Sequence, residues 1–237
     1  MKVKNIVLLH GWGASTKKLG YLKKDLIKLG WNVFLPKFPG FDLPHPTSAW
    51  NLNDYASYIK RLSGKFFSGK YFVFGHSFGG RVAITMATKS PNNIFGLILC
   101  APGGFSRGNF IKRSTFFVLA KIGKLLNFWP AAAFIFRKIL YKLSRERDYF
   151  NASGVMKETM KLIIAENLRP KAKALSLPTL LLWGRKDRIV PLSDALYLKK
   201  NMQSIDCIFY SNQGHRLPYE IPQILAKEID KWYKSQI

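Results

Sequence analysis

Acidic residues are scarce in this sequence. Of 237 residues, 13 are Asp or Glu against 38 Lys or Arg, a formal net charge of +25. No carboxylate at all occurs between Asp54 and Glu146, so any acid chemistry must come from the flanking segments. Cysteine is scarcer still. Cys100 and Cys207 both lie in apolar, strand-like runs without a CxxC pair or clustered histidines, which excludes a disulfide framework and a zinc site and makes a reducing cytoplasm the expected location. Long apolar runs are missing too. The longest uncharged apolar stretch, LLNFWPAAAFIF at 125–136, falls short of the ~20 residues a membrane span needs. The leading IVLL is too short for a signal-peptide core, so a soluble chain is expected. No RRM, KH, zinc-finger or basic-zipper signature accompanies the positive charge, and no specific nucleic-acid partner is expected. The 27 lysines are scattered along the chain and read as solvation of helix exteriors, although such a field favours anionic partners. Oligomeric state is not written in these features.

Six short apolar runs are present: NIVLLH (5–10), WNVFLP (31–36), YFVFG (71–75), FGLILCA (95–101), TLLLWG (179–184) and IDCIFY (205–210). They alternate with segments whose apolar residues recur at three-to-four spacing, such as NLNDYASYIKRLSG, LSDALYLKKN and IPQILAKEIDKWYK. This alternation predicts an α/β fold, a mostly parallel six-stranded sheet flanked by helices. One connection is far longer than a crossover requires. Residues 104–172 hold no strand-like run but three helical patterns, so they are read as an α-helical insertion into a core formed by 1–103 and 173–237.

The stretch FGHSFGG (74–80) carries the strongest chemical signal. It places Ser77 between a strand and a helix with glycines two residues away on either side, the context in which GxSxG presents a hydroxyl clear of the backbone. A serine hydroxyl needs a base, and the base needs a carboxylate to fix its tautomer. Among the four histidines, His76 must leave the turn in another direction, His10 orders the loop HGWG after the first strand, and His45 sits between prolines on the approach to the site. His215 follows the last strand in SNQGHRLPYE and is assigned as the base. Asp187, in WGRKDRIVP after the fifth strand, is the carboxylate, since Asp206 begins a strand at the opposite end of the sheet. The backbone N–H groups of Phe78, at a helix N-terminus, and Trp12, in HGWG, are the expected oxyanion donors.

Taken together, HGWG (10–13), FPGFD (38–42), GHSFGG (75–80), WGRKDRIVP (183–191) and GHRLPYE (214–220) resemble the α/β-hydrolase superfamily, in its serine carboxylesterase branch. The resemblance implies that the two leading strands of that fold are absent and that 104–172 forms a helical cap, or lid. It implies hydrolysis of short to medium acyl or aryl esters, lactones or thioesters, with no cofactor and no metal. Phe117, Phe128 and Trp129 are then expected to line an apolar slot over Ser77, together with His45. Residues 105–171 carry 14 basic residues against 4 acidic ones, which suits an acyl group on an acidic carrier protein or an anionic surface. A carbon–carbon bond hydrolase with the same three residues is an alternative, as is a binding module for ligands or membrane surfaces built on a hydrolase scaffold. Relatives that release halide or open epoxides use an aspartate nucleophile, which the serine at position 77 disfavours.

Overall fold

The computed structural model describes residues 4–105 and 154–236. Six strands, β1 (Asn5–Leu9), β2 (Asn32–Phe34), β3 (Tyr71–His76), β4 (Ile94–Cys100), β5 (Thr179–Gly184) and β6 (Ile205–Tyr210), form one sheet in the order β2-β1-β3-β4-β5-β6. Every neighbouring pair is parallel. The apolar runs are continuous because both faces of the sheet are covered. Along β4, Leu97 and Leu99 join the core on one face while Ile98 and Cys100 join the core on the other, and Val7 and Leu9 alternate with Ile6 and Leu8 in β1.

Eight α-helices occur among the described residues: α1 (Gly20–Lys28), α2 (Leu52–Phe66), α3 (Phe78–Lys89), α4 (Gly154–Ala165), α5 (Arg169–Ala174), α6 (Leu192–Asn201), α7 (Leu217–Glu220) and α8 (Pro222–Ser235). Leu22 and Leu26 of α1 pack with Leu225 and Ile229 of α8 on one face. Residues of α2, α3 and α6 pack on the other. The start of α2 is set locally. Asn51 Oδ1 accepts the Asp54 N–H while Asp54 Oδ2 accepts the Asn51 N–H, so two otherwise orphaned donors are satisfied by a reciprocal capping box.

The chain divides into two compact units, Met1–Phe105 with Gly154–Ile237, and Ser106–Ser153. Residues 154–172, which the spacing assigns to the insertion, therefore lie in the core unit. Helix α4 has a core-facing side: Met156, Thr159 and Ile163 are buried, and Thr159 Oγ1 accepts the Trp50 N–H at 3.0 Å. Helical periodicity announces a helix but not the body it packs on. The two other helices expected in the insertion lie outside the described residues.

The order β2-β1-β3 places the topological switch between β1 and β3, and in an open parallel sheet the crevice beyond the strand carboxyl ends at such a point is where ligands bind. The loops after β1, β3, β5 and β6 all emerge on that edge.

At the helical flank, the buried Asp230 of α8 accepts hydrogen bonds from Lys4 Nζ (2.6 Å), Trp31 Nε1 (3.0 Å) and Lys234 Nζ (2.8 Å), tying both chain ends to the start of β2. Burial works to raise this carboxyl, but bonds from Lys234, Lys4 and Trp31 outweigh it and hold it below its ordinary value. A depressed carboxylate contributes stability above its unfolded pKa and loses it as pH falls through the folded one. Asp230→Asn should lower stability at pH 7 by about 1–3 kcal/mol in urea unfolding, and the gap to wild type should narrow below pH ~4; a gap independent of pH would contradict the charged role.

Candidate active site

Ser77 occupies the turn from β3 into α3 with φ 51° and ψ −111°, a left-handed conformation that a residue with a side chain adopts only under constraint. The constraint comes from crowding. A Cβ on Gly75 would run into the Gly79 carbonyl, and one on Gly79 would run into the Leu9 carbonyl of β1. Glycine at both positions lets α3 rest directly on the sheet, and the only way from strand to helix in that space is the bend at Ser77. Its N–H donates to the Cys100 carbonyl at 2.9 Å, fixing the turn to β4.

Asp187 and His215 meet beyond β5 and β6. His215 Nδ1 donates to Asp187 Oδ2 at 2.7 Å, with side chains only 9% and 1% exposed. The other carboxylate oxygen accepts the N–H groups of Ile189 (2.8 Å) and Val190 (2.9 Å), so the loop GRKDRIVP closes around its own aspartate. With Nδ1 committed, Nε2 is the nitrogen left for proton transfer. No hydrogen bond joins it to Ser77 Oγ among the described residues, a looseness common to unliganded sites.

His76 connects the two halves. Its Nε2 donates to the His215 carbonyl at 2.8 Å, its Nδ1 accepts from the Tyr219 hydroxyl at 3.1 Å, and its ring centroid lies 4.8 Å from that of His215. Burial, reinforced by neighbouring His215, holds His76 down to about 3, so it is neutral at working pH. Burial likewise pushes Tyr219 up to about 12, against the Gly11 N–H that donates to its oxygen. A run of hydrogen bonds thus passes from the loop after β1 through Tyr219 and His76 to the backbone of His215.

Gly11 lies against the nucleophile turn: a Cβ there would sit 3.5 Å from Ser77 Cβ and 3.0 Å from His76 Nδ1. The N–H groups of Trp12 and Phe78 donate to no acceptor among the described residues. The Trp12 ring packs edge-on to Phe41 (4.8 Å) and Phe78 (5.5 Å), giving this side of the site an apolar wall. His45 is exposed and sits near Gly40 and Met156. Phe117, Phe128 and Trp129 lie outside the described residues. Two participants escape sequence reasoning. Asp42 binds His10 at 2.8 Å, and Tyr219 binds His76. Both stand inside quoted motifs, FPGFD and GHRLPYE, but only the fold shows what they face.

The sign of the His76 shift has a measurable consequence. Its folded pKa lies below the unfolded value of about 6.5, so its contribution to stability is complete above that value and drains away on acidification. Wild-type protein should lose on the order of 1 kcal/mol per pH unit between pH ~6.5 and ~4.5 through this group. His76→Gln should flatten that slope in urea unfolding, and an unchanged slope would show that His76 does not titrate as a buried neutral ring.

Similarity to known proteins agrees with this architecture. The esterase EaEST from Exiguobacterium antarcticum superposes with a TM-score of 0.73 at 18% identity, covering 98% of this chain and 92% of that one. Lipase 1 of Psychrobacter immobilis is 24% identical over 229 residues, 89% of this chain and 70% of the lipase. The 2-hydroxy-6-oxononadienedioate/2-hydroxy-6-oxononatrienedioate hydrolase of Comamonas testosteroni is 24% identical over 240 residues, 91% of this chain and 82% of that enzyme. The family described as serine aminopeptidase, S33, matches residues 2–222. With that match spanning the sheet from β1 to the start of α8, the chain belongs to this family of α/β hydrolases and is a hydrolase.

Proposed function

We propose that the protein cleaves carboxylic esters, with Ser77 as nucleophile, His215 as general base and acid, and Asp187 as the carboxylate that orients it. Ser77 Oγ attacks the ester carbonyl and gives its proton to His215 Nε2. Asp187 holds Nδ1–H and stabilises the imidazolium that forms. The oxyanion of the tetrahedral intermediate is met by the Trp12 and Phe78 N–H groups, the latter at the N-terminus of a twelve-residue helix. Collapse expels the alcohol, which takes the proton from His215, and water then attacks the acyl-enzyme by the same route in reverse.

The observation that carries this reading is the buried 2.7 Å bond between Asp187 and His215, two residues from different loops on the edge where Ser77 is held at positive φ. A solvated loop aspartate paired with a neighbouring arginine would not be enclosed in this way. The names of the similar lipase and esterase favour an ester as substrate. The similar dienedioate hydrolase supports a second reading, hydrolysis of a carbon–carbon bond next to a ketone by the same three residues.

Short p-nitrophenyl esters separate these outcomes. Wild-type protein should turn them over and label at Ser77 with a fluorophosphonate. Ser77→Ala should lower kcat/KM by about 10⁴-fold or more and abolish labelling; activity retained within tenfold of wild type would reject the nucleophile. Turnover of a vinylogous diketone acid with negligible ester cleavage would favour the carbon–carbon reading instead.

A further inference from the structure

The ring of His10 is fully buried, and both of its nitrogens face oxygen. Nδ1 lies 2.8 Å from the Gly11 carbonyl and Nε2 lies 2.8 Å from Asp42 Oδ2. A carbonyl has no proton to give. The carboxylate has none either: Asp42 also accepts the Thr16 N–H (2.8 Å), the Thr16 hydroxyl (2.9 Å) and the Phe38 N–H (3.3 Å), an arrangement suited only to the ionised form. Burial works to raise this carboxyl, and the bonds from Thr16 and His10 outweigh it and hold it below its ordinary value. A carbonyl only accepts, so Nδ1 meets it as an N–H donor. Phe38 and Phe41 stand edge-on to the ring at 4.9 and 5.8 Å and exclude water from it.

The geometry of one peptide unit turns this into a statement about catalysis. The Gly11 carbonyl and the Trp12 N–H belong to the same planar trans peptide and point in opposite directions. Holding the carbonyl therefore aims the N–H. The carbonyl also accepts the Ala14 N–H, but at 3.3 Å, a longer contact than the 2.8 Å to His10. A close donor on the carbonyl further polarises the amide and strengthens the N–H on its other side. We propose that His10, anchored by Asp42, is the positioning residue of the oxyanion hole: by gripping the Gly11 carbonyl it directs the Trp12 N–H at the oxygen that becomes negative in the transition state. This rests on the reading of Ser77 as nucleophile.

Because the oxyanion exists only after attack, loss of the grip should appear in kcat rather than KM. His10→Gln and Asp42→Asn should each lower kcat for a p-nitrophenyl ester by about 10–100-fold, somewhat less than removing a donor outright, with KM changed less than about threefold. Both should weaken a trifluoromethyl ketone, which forms a tetrahedral oxyanion on serine, by a similar factor. Wild-type kcat in both variants, or losses falling mainly on KM, would overturn the assignment, provided Ser77→Ala is inactive; an active Ser77→Ala instead brings down the reading of the site itself. Should either variant fail to fold, nitrogen NMR of the ¹⁵N-histidine-labelled wild-type protein decides. The His10 ring is expected to carry its proton on Nδ1, the nitrogen that faces the Gly11 carbonyl, and a bare Nδ1 on that ring would end the proposal.

Discussion

Everything distinctive about this molecule follows from how closely helix α3 approaches the sheet. The backbone of the nucleophile turn rests on the carbonyls of β1 and on its own strand with no room for a side chain at Gly75 or Gly79. That contact forces the bend at Ser77 and brings the loop after β1 against it, so Ser77 and that loop share one crevice. A helix set ~1–2 Å further out would relax the turn to ordinary geometry.

Scarcity of carboxylates makes the placement of each one informative. In a chain of +25, four aspartate side chains among the described residues are nearly or fully buried, and each collects two or more donors. Asp187 holds His215 and two amides, Asp42 holds His10 and the loop around it, and Asp230 joins the chain ends. Asp194 accepts the N–H groups of Gly104 and Phe105, where the chain leaves the core unit. Close by, Arg81 of α3 donates to the carbonyls of Gly103, Ile163 and Glu166, so the departing and returning segments are fastened to the helix that follows Ser77. Buried charges without such partners would cost far more than they return.

The three central histidines divide the work by environment rather than by type. His10 lies between a carbonyl and a carboxylate, His76 between a hydroxyl and a carbonyl, and His215 binds a carboxylate through Nδ1. The same imidazole is thereby held in three different ways.

Strand runs, helix patterns and the Ser77 turn are legible from the chain because they rest on local periodicity and on glycine spacing. Asp187 and His215 are legible because few carboxylates and histidines compete for the role. The expected runs and observed strands coincide at six of their twelve ends and differ by one or two residues at the others; only β2, observed at 32–34 against an expected 31–36, is clearly shorter, as suits an edge strand. Contacts across the fold were not legible: that α4 packs on the core, that Tyr219 reaches His76, and that Asp42 captures His10. These depend on residues dozens to more than a hundred positions apart meeting through strand order and loop path, and no local pattern encodes such a meeting. The amino-acid sequence by itself determined which side chains could do chemistry and on which elements they stand; the tertiary structure alone decided which nitrogen faces which oxygen, because hydrogen-bond partners are set by position in space and not along the chain.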